Sequence, residues 1–220
     1  MKMFKTHNLI LLGMLAGLYF HSAPYPSQVQ PTSTKEIDYF LEIALGSEHG
    51  GASRTIKKWE SDIRIEVIGS PTPEDLKSLR TVVSEVNGLV DSIEVKIVNQ
   101  DPNLKIYFVP VSQFPKYEPN YTPSNYGFCW VGWKKDVIHE SRVLISTVGI
   151  TQKERSHLIR EELTQCMGLM RDSDKYTESI FYSGWTDSTK YTEMDKALIR
   201  ILYSPEIRPG MNELQLREVL

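Results

Sequence analysis

One carboxylate constrains this chain more than any other residue. Thr151 followed three positions on by Glu154 forms a capping box, which predicts a helix starting at Gln152. Gly168 is a natural terminator, so the helix spans roughly 152–167. With Leu158 at zero and about 100° per residue, Glu162, Cys166, Ile159, Leu163 and Met167 share one arc. Glu162 thus lies inside the apolar sector, while Glu161, Gln165 and His157 flank it. A carboxylate aimed into an apolar sector is costly unless something compensates it. Either an Arg or Lys from a neighbouring sheet meets it, or it works as a raised-pKa acid/base or metal-associated group.

The rest of the chain supplies the layers around that helix. Ile37, Phe40, Leu41 and Ala44 recur at helical spacing and stop at Gly46. After a Gly50-Gly51 turn, Ile63 to Ile68 alternates as a half-buried strand. A second helix runs from Thr72 or Pro73 to Asn87, with Leu76, Leu79, Val82, Val83 and Val86 on one side. Ile93–Val98, Leu104–Val109, Tyr126–Trp133 and Val143–Val148 read as further strands. This order argues for an α/β or α+β layer and not a sandwich; the fold expected is α+β, a twisted mixed sheet of about four or five strands packed on helices.

Between Phe114 and Trp133 lie seven aromatics, among them Tyr126, Trp130 and Trp133. They either pin a long loop and a strand to the body or line a substrate cleft, since aromatics give large rigid contact area at low entropic cost.

At the N-terminus, Lys2 and Lys5 precede an apolar run from Leu9 to Phe20, and a Pro/Ser/Thr/Gln-rich stretch follows. Residues 1–23 read as a secretory signal or an uncleaved anchor, 24–34 as a linker and 35–220 as a single domain. The expected location is the periplasm or cell envelope. Removing Lys2 and Lys5 takes the net charge from −3 to −5, which argues against a nucleic-acid partner. Membrane contact is expected only through the N-terminal segment. Export makes a Cys129–Cys166 disulfide feasible; the alternative is that Cys166 is a buried free thiol. The sequon at Asn120 carries no weight.

Written out, Glu161-Glu162-Leu-Thr-Gln165-Cys-Met-Gly168-Leu-Met-Arg171-Asp172 resembles the metzincin metallopeptidase signature H-E-x-x-H-x-x-G-x-x-H-D. The resemblance implies a zincin-like fold, with Glu162 at the general-base position, Gly168 ending the helix and Asp172 following the third ligand. Glu178-Ser-Ile-Phe181-Tyr182 is similar to the Met-turn, with Phe181 in place of the methionine. Thr192 to Asp195 caps a last helix, as in that family. In the signature, two histidines one helical turn apart bind zinc and a third ligand arrives after the glycine. The three ligand positions hold Glu161, Gln165 and Arg171, and arginine cannot coordinate a cation.

Segments including Tyr39 to Glu48, Arg160 to Gln165 and Arg208 to Met211 resemble the bacterial domain-of-unknown-function family 2927, which groups with the same clan. Two functional readings follow. One is an exported, metallopeptidase-like binding protein without a three-histidine zinc site, whose partner is an envelope protein, a peptide or a glycan. The other is a hydrolase using Glu162 as general base with a non-standard or absent metal. No cofactor is expected on the first reading; on the second, His157 and Glu161, at i and i+4, could hold a divalent cation, although such pairs more often interact only with each other.

Overall fold

The computed structural model describes residues 33–46, 54–119, 121 and 125–220. The signal or anchor, nearly all of the linker, His49, the Gly50-Gly51 turn and the sequon's Asn120 and Thr122 lie outside the described residues.

Five helices are described: α1 (Thr34–Ala44), α2 (Pro73–Asn87), α3 (Gln152–Gln165), α4 (Glu193–Tyr203) and α5 (Glu213–Val219). Each begins with a reciprocal capping box: Ser33/Glu36, Thr72/Asp75, Thr151/Glu154, Thr192/Asp195 and Asn212/Gln215. The box satisfies helix N–H groups that have no intrahelical partner, so each start is written locally in the sequence. Helix α1 begins two residues earlier than its apolar spacing suggests, because Ser33 is the cap. Helix α5 was not anticipated; only Leu216 of its seven residues is buried, which leaves no apolar stripe to read.

Six strands form one sheet: β1 (Lys58–Trp59), β2 (Ile63–Gly69), β3 (Val95–Ile97), β4 (Leu104–Val109), β5 (Gly127–Lys134) and β6 (Val137–Ser146). The order is β1-β6-β4-β2-β3, parallel throughout, and β5 pairs antiparallel with β6. This mixed sheet packed on helices agrees with the α+β expectation. Strand β4 is buried at five of its six positions, as suits a central parallel strand covered on both faces. Two details differ from the sequence expectation. Strand β1 is two residues long, below any periodic signal. Strand β6 starts at Val137, six residues early, because His139, Glu140 and Arg142 break the apolar run. Lys135 and Asp136 take φ of 51° and 65°, the left-handed conformation of a tight two-residue hairpin.

Helices α2 and α3 are locked together by a fully buried carboxylate. Asp75 accepts from its own cap at Thr72 N (2.8 Å) and from Gln152 Nε2 (2.7 Å), and it is ion-paired with Arg155, whose Nε lies 3.0 Å away. At the other end of α3, Trp59 Nε1 donates to the Cys166 carbonyl and Tyr203 Oη to that of Met167, both at 2.9 Å. Gly168 follows at φ 119°, where a Cβ would overlap the Lys57 carbonyl oxygen. Only glycine can make that turn.

A separate aromatic cluster of Tyr107, Phe114, Tyr121 and Phe128 holds Phe114 and Tyr121 to the sheet. Arg142 lies 4.1 Å from the centre of the Trp130 ring, donates to the Tyr117 carbonyl (2.9 Å) and pairs with buried Glu118 (3.3 Å). Cys129 of β5 and Cys166 are joined in a disulfide with Cα atoms 5.9 Å apart, so the free-thiol alternative is excluded. The bridge closes a sequence separation of 37 residues, which in the chain-entropy model stabilises by about 3 to 4 kcal/mol. Thiol titration of the denatured, unreduced protein should therefore find no free cysteine, and Cys129→Ala should lower the urea midpoint correspondingly.

Candidate functional site

One flank of α3 is a wall of a cavity of about 120 Å³. His157, Leu158, Glu161, Glu162 and Gln165 line it from the helix. Asn125, Tyr126 and Gly127 close it at the start of β5, and Asp172 with residues 182–186 closes the opposite side.

Each α3 side chain has a definite setting. Glu162 is 7% exposed and lies against Gly127, where a Cβ would overlap Glu162 Oε1. The missing side chain at position 127 is what lets the carboxylate sit beside β5. No Lys or Arg is among the described residues that line the cavity. Gln165 Nε2 donates to Asp172 Oδ1 at 2.7 Å. Arg171 is exposed and lies outside the cavity lining; its stem crosses Gly46, where a Cβ would overlap it.

His157 is 3% exposed, with Nε2 3.1 Å from Glu161 Oε2 and Nδ1 2.7 Å from the Ser188 carbonyl. A carbonyl only accepts, so Nδ1 carries a proton, and the carboxylate calls for a second proton on Nε2. The imidazolium is the form that satisfies both contacts. Burial works against that charge, but the hydrogen bond and charge of Glu161, the Ser188 carbonyl and the charge of Asp187 outweigh it and hold the His157 pKa above its ordinary value. The pair is thus engaged within the protein. Among the described residues, no group of three His, Cys, Asp or Glu is placed to hold a metal ion.

The segment after α3 is stapled from below. Ser173 N donates to the Phe181 carbonyl (2.8 Å) and Ser183 N to that of Ser173 (2.9 Å), while Phe181 is fully buried. Tyr39 Oη donates to Ser179 Oγ (3.0 Å), which donates to buried Asp195 Oδ1 (2.6 Å). Asp195 also accepts from Ile180 N and Thr192 N. Burial raises the Asp195 pKa, and these hydrogen bonds oppose it without cancelling it.

Of the aromatics expected in the cleft, Tyr126 lines it and Trp130 and Trp133 do not. The reason is the two-residue period of β5. Phe128 and Trp130 point to the aromatic cluster on one face, and Gly127 and Cys129 towards α3 on the other. Trp133 is six residues beyond Gly127, about 20 Å along the strand, near Lys57 Nζ. The cavity aromatics that sequence reading missed are Tyr182 and Trp185. Trp185 is 59% exposed, donates from Nε1 to Glu154 Oε1 (2.8 Å) and meets Tyr126 at 6.0 Å. An isolated Trp among Gly, Ser, Thr and Asp was the available signal.

Segment 182–188 is tied to α3 through Glu154–Trp185, Lys153–Asp187 (2.8 Å) and His157–Ser188. A raised folded pKa makes the His157 contribution complete below the unfolded value of about 6.5, and lost as pH climbs through the folded value. The urea midpoint should consequently fall as pH rises above about 6.5, and His157→Asn should remove this component of the slope.

No curated protein matches the chain in sequence. Among solved structures, one of myroilysin aligns at 12% identity over 68% of this chain and 83% of that one, with a TM-score of 0.43. A second myroilysin structure aligns at 11% identity over 74% and 92%, with a TM-score of 0.46. The family model described as "Protein of unknown function (DUF2927)" matches residues 34–220, nearly the whole of the described chain, and this protein belongs to that family.

Proposed function

We propose that this chain is a peptidase-like binding protein of the cell envelope, which holds a ligand in the α3 cavity without a three-histidine zinc site. The observation that carries the reading is the state of the three positions where the signature has its zinc ligands. Glu161 is paired with His157, the Gln165 amide is bonded to Asp172, and the Arg171 stem lies across Gly46 outside the cavity. A guanidinium has no lone pair to offer a cation, and an amide is a poor substitute for imidazole. These residues do not fit zinc. The Cys129–Cys166 disulfide supports an exported location, since such bonds persist chiefly in oxidising compartments.

A hydrolytic reading keeps one specific support. Glu162 is buried, lines the cavity and is held against Gly127, the setting a general base requires.

Two measurements separate the readings. After incubation with zinc, manganese or calcium and desalting, the purified protein should retain less than about a tenth of a metal equivalent. In a peptide-library digest, wild type and Glu162→Gln should be equally inactive. Turnover by the wild type that Glu162→Gln abolishes, with an unchanged melt, establishes the hydrolase instead.

A further inference from the structure

The geometry points to segment 182–190 as a strap that swings off the α3 cavity as one piece and so controls entry to it. This rests on the reading of the cavity as a binding site and adds how a ligand reaches it.

The first observation is how the segment is held. Both residues that flank it are buried aromatics. Phe181 is fully buried, with its amide bonded to Ser179 Oγ (3.1 Å) and its carbonyl to Ser173 N (2.8 Å). Tyr191 shares a 2.6 Å hydrogen bond with Thr164 Oγ1 of α3, and the Arg160 guanidinium lies 4.2 Å from the centre of its ring. Between these anchors no residue from 182 to 190 is buried, and none belongs to a helix or to a strand of the sheet. Ser183 N is still bonded to the Ser173 carbonyl. Past it, the segment meets the start of α3 through Trp185 Nε1 to Glu154 Oε1 (2.8 Å), Asp187 to Lys153 (2.8 Å) and the Ser188 carbonyl to His157 Nδ1 (2.7 Å). Lys153 and Asp187 are 62% and 51% exposed, so water competes for their pair. A segment without buried apolar groups opens at far less cost than the elements that carry the core. Bonds within it, Ser188 N to Thr186 Oγ1 and Ser188 Oγ to the Lys190 carbonyl, keep it together as it moves. The latch is firm on its other side, because the Glu154 carboxylate that receives the indole N–H also accepts from Thr151 N (2.7 Å) and Oγ1 (2.8 Å).

Size is the second and independent observation. Residues 182–186 form one side of a cavity of about 120 Å³. Sites that enclose a small organic ligand run from about 300 Å³ upward, so a stretch of peptide or glycan does not fit while the strap lies in place. The facing wall does not yield instead. Gly127 is in register with Ile145 in the β5–β6 ladder, and the disulfide joins β5 to the end of α3. The strap is the side of the cavity that can move.

The test places a single thiol inside the cavity of the full chain. Both native cysteines are in the disulfide, so Leu158→Cys, on the α3 wall, supplies the one free thiol. Its labelling is followed with a small reagent, methyl methanethiosulfonate, and a bulky one, fluorescein maleimide, each rate divided by that of the urea-unfolded variant. Val82→Cys, in the core on α2, reports exposure by global unfolding. Both reagents should label Leu158→Cys at least about tenfold faster than Val82→Cys. Trp185→Phe, which keeps a ring and removes the indole N–H, should speed both by about three- to tenfold, and Asp187→Asn by about twofold, with unchanged melts. If Leu158→Cys lowers the melt, Glu162→Cys reports from the same wall with the same expectations. Fast labelling by the small reagent alone, labelling no faster than that of Val82→Cys, or indifference to both strap substitutions overturns the inference. If the wild type cuts peptides and the bulky reagent enters, the strap stands and the non-hydrolytic reading falls. If nothing is cut and the bulky reagent stays out, only the strap fails.

Discussion

The C-terminal end of α3 is the point on which the rest of the structure depends. A helix leaves its last carbonyls without intrahelical partners, and here two of them are taken by side chains from distant parts of the chain. Trp59 reaches Cys166, and Tyr203 reaches Met167. The disulfide ties the same turn to β5, and Gly168 turns the chain away through a conformation that leaves no room for a side chain. Burial of that turn fixes the axial position of α3, and with it every group facing the cavity. The buried Asp75 network fixes the other end against α2.

Between these anchors, the polar flank of α3 resolves into pairs. His157 is bonded to Glu161, and Gln165 to Asp172. Each pair offsets the cost of holding polar groups in a confined space, which a lone buried carboxylate or imidazole would incur in full. Two of the positions that the signature gives to imidazoles, Glu161 and Gln165, are thus held by hydrogen bonds within the protein. Segment 182–188 becomes a wall of the cavity because α3 holds it at Glu154, Lys153 and His157.

Helix starts and the central strands were legible because their causes are local. A capping box spans four residues, and alternation in Ile63–Ile68 or the apolar run Leu104–Val109 needs only neighbours. The anomaly at Glu162 was legible too, since helical geometry alone puts it in the apolar arc. What misled the reading was composition without facing. Trp130 and Trp133 share an aromatic stretch with Tyr126, yet the two-residue period of β5 and its length send them elsewhere. Trp185 was missed because nothing periodic surrounds it; its role follows from a hydrogen bond to a residue 31 positions earlier.

The sequence by itself determined that a three-histidine zinc site cannot form at the signature positions. Glu161, Gln165 and Arg171 are a matter of identity, and no folding changes what a guanidinium can donate or accept. It also determined where α3 begins and ends. Only the tertiary structure decided what the side chains at those positions meet. Whether Glu161 meets His157 or solvent, whether Gln165 finds Asp172, and which aromatics stand over the cavity depend on loop paths set by long-range packing. The disulfide belongs to the same class. Two cysteines permitted it, but only the register of β5 against α3 brought their Cα atoms to bonding distance.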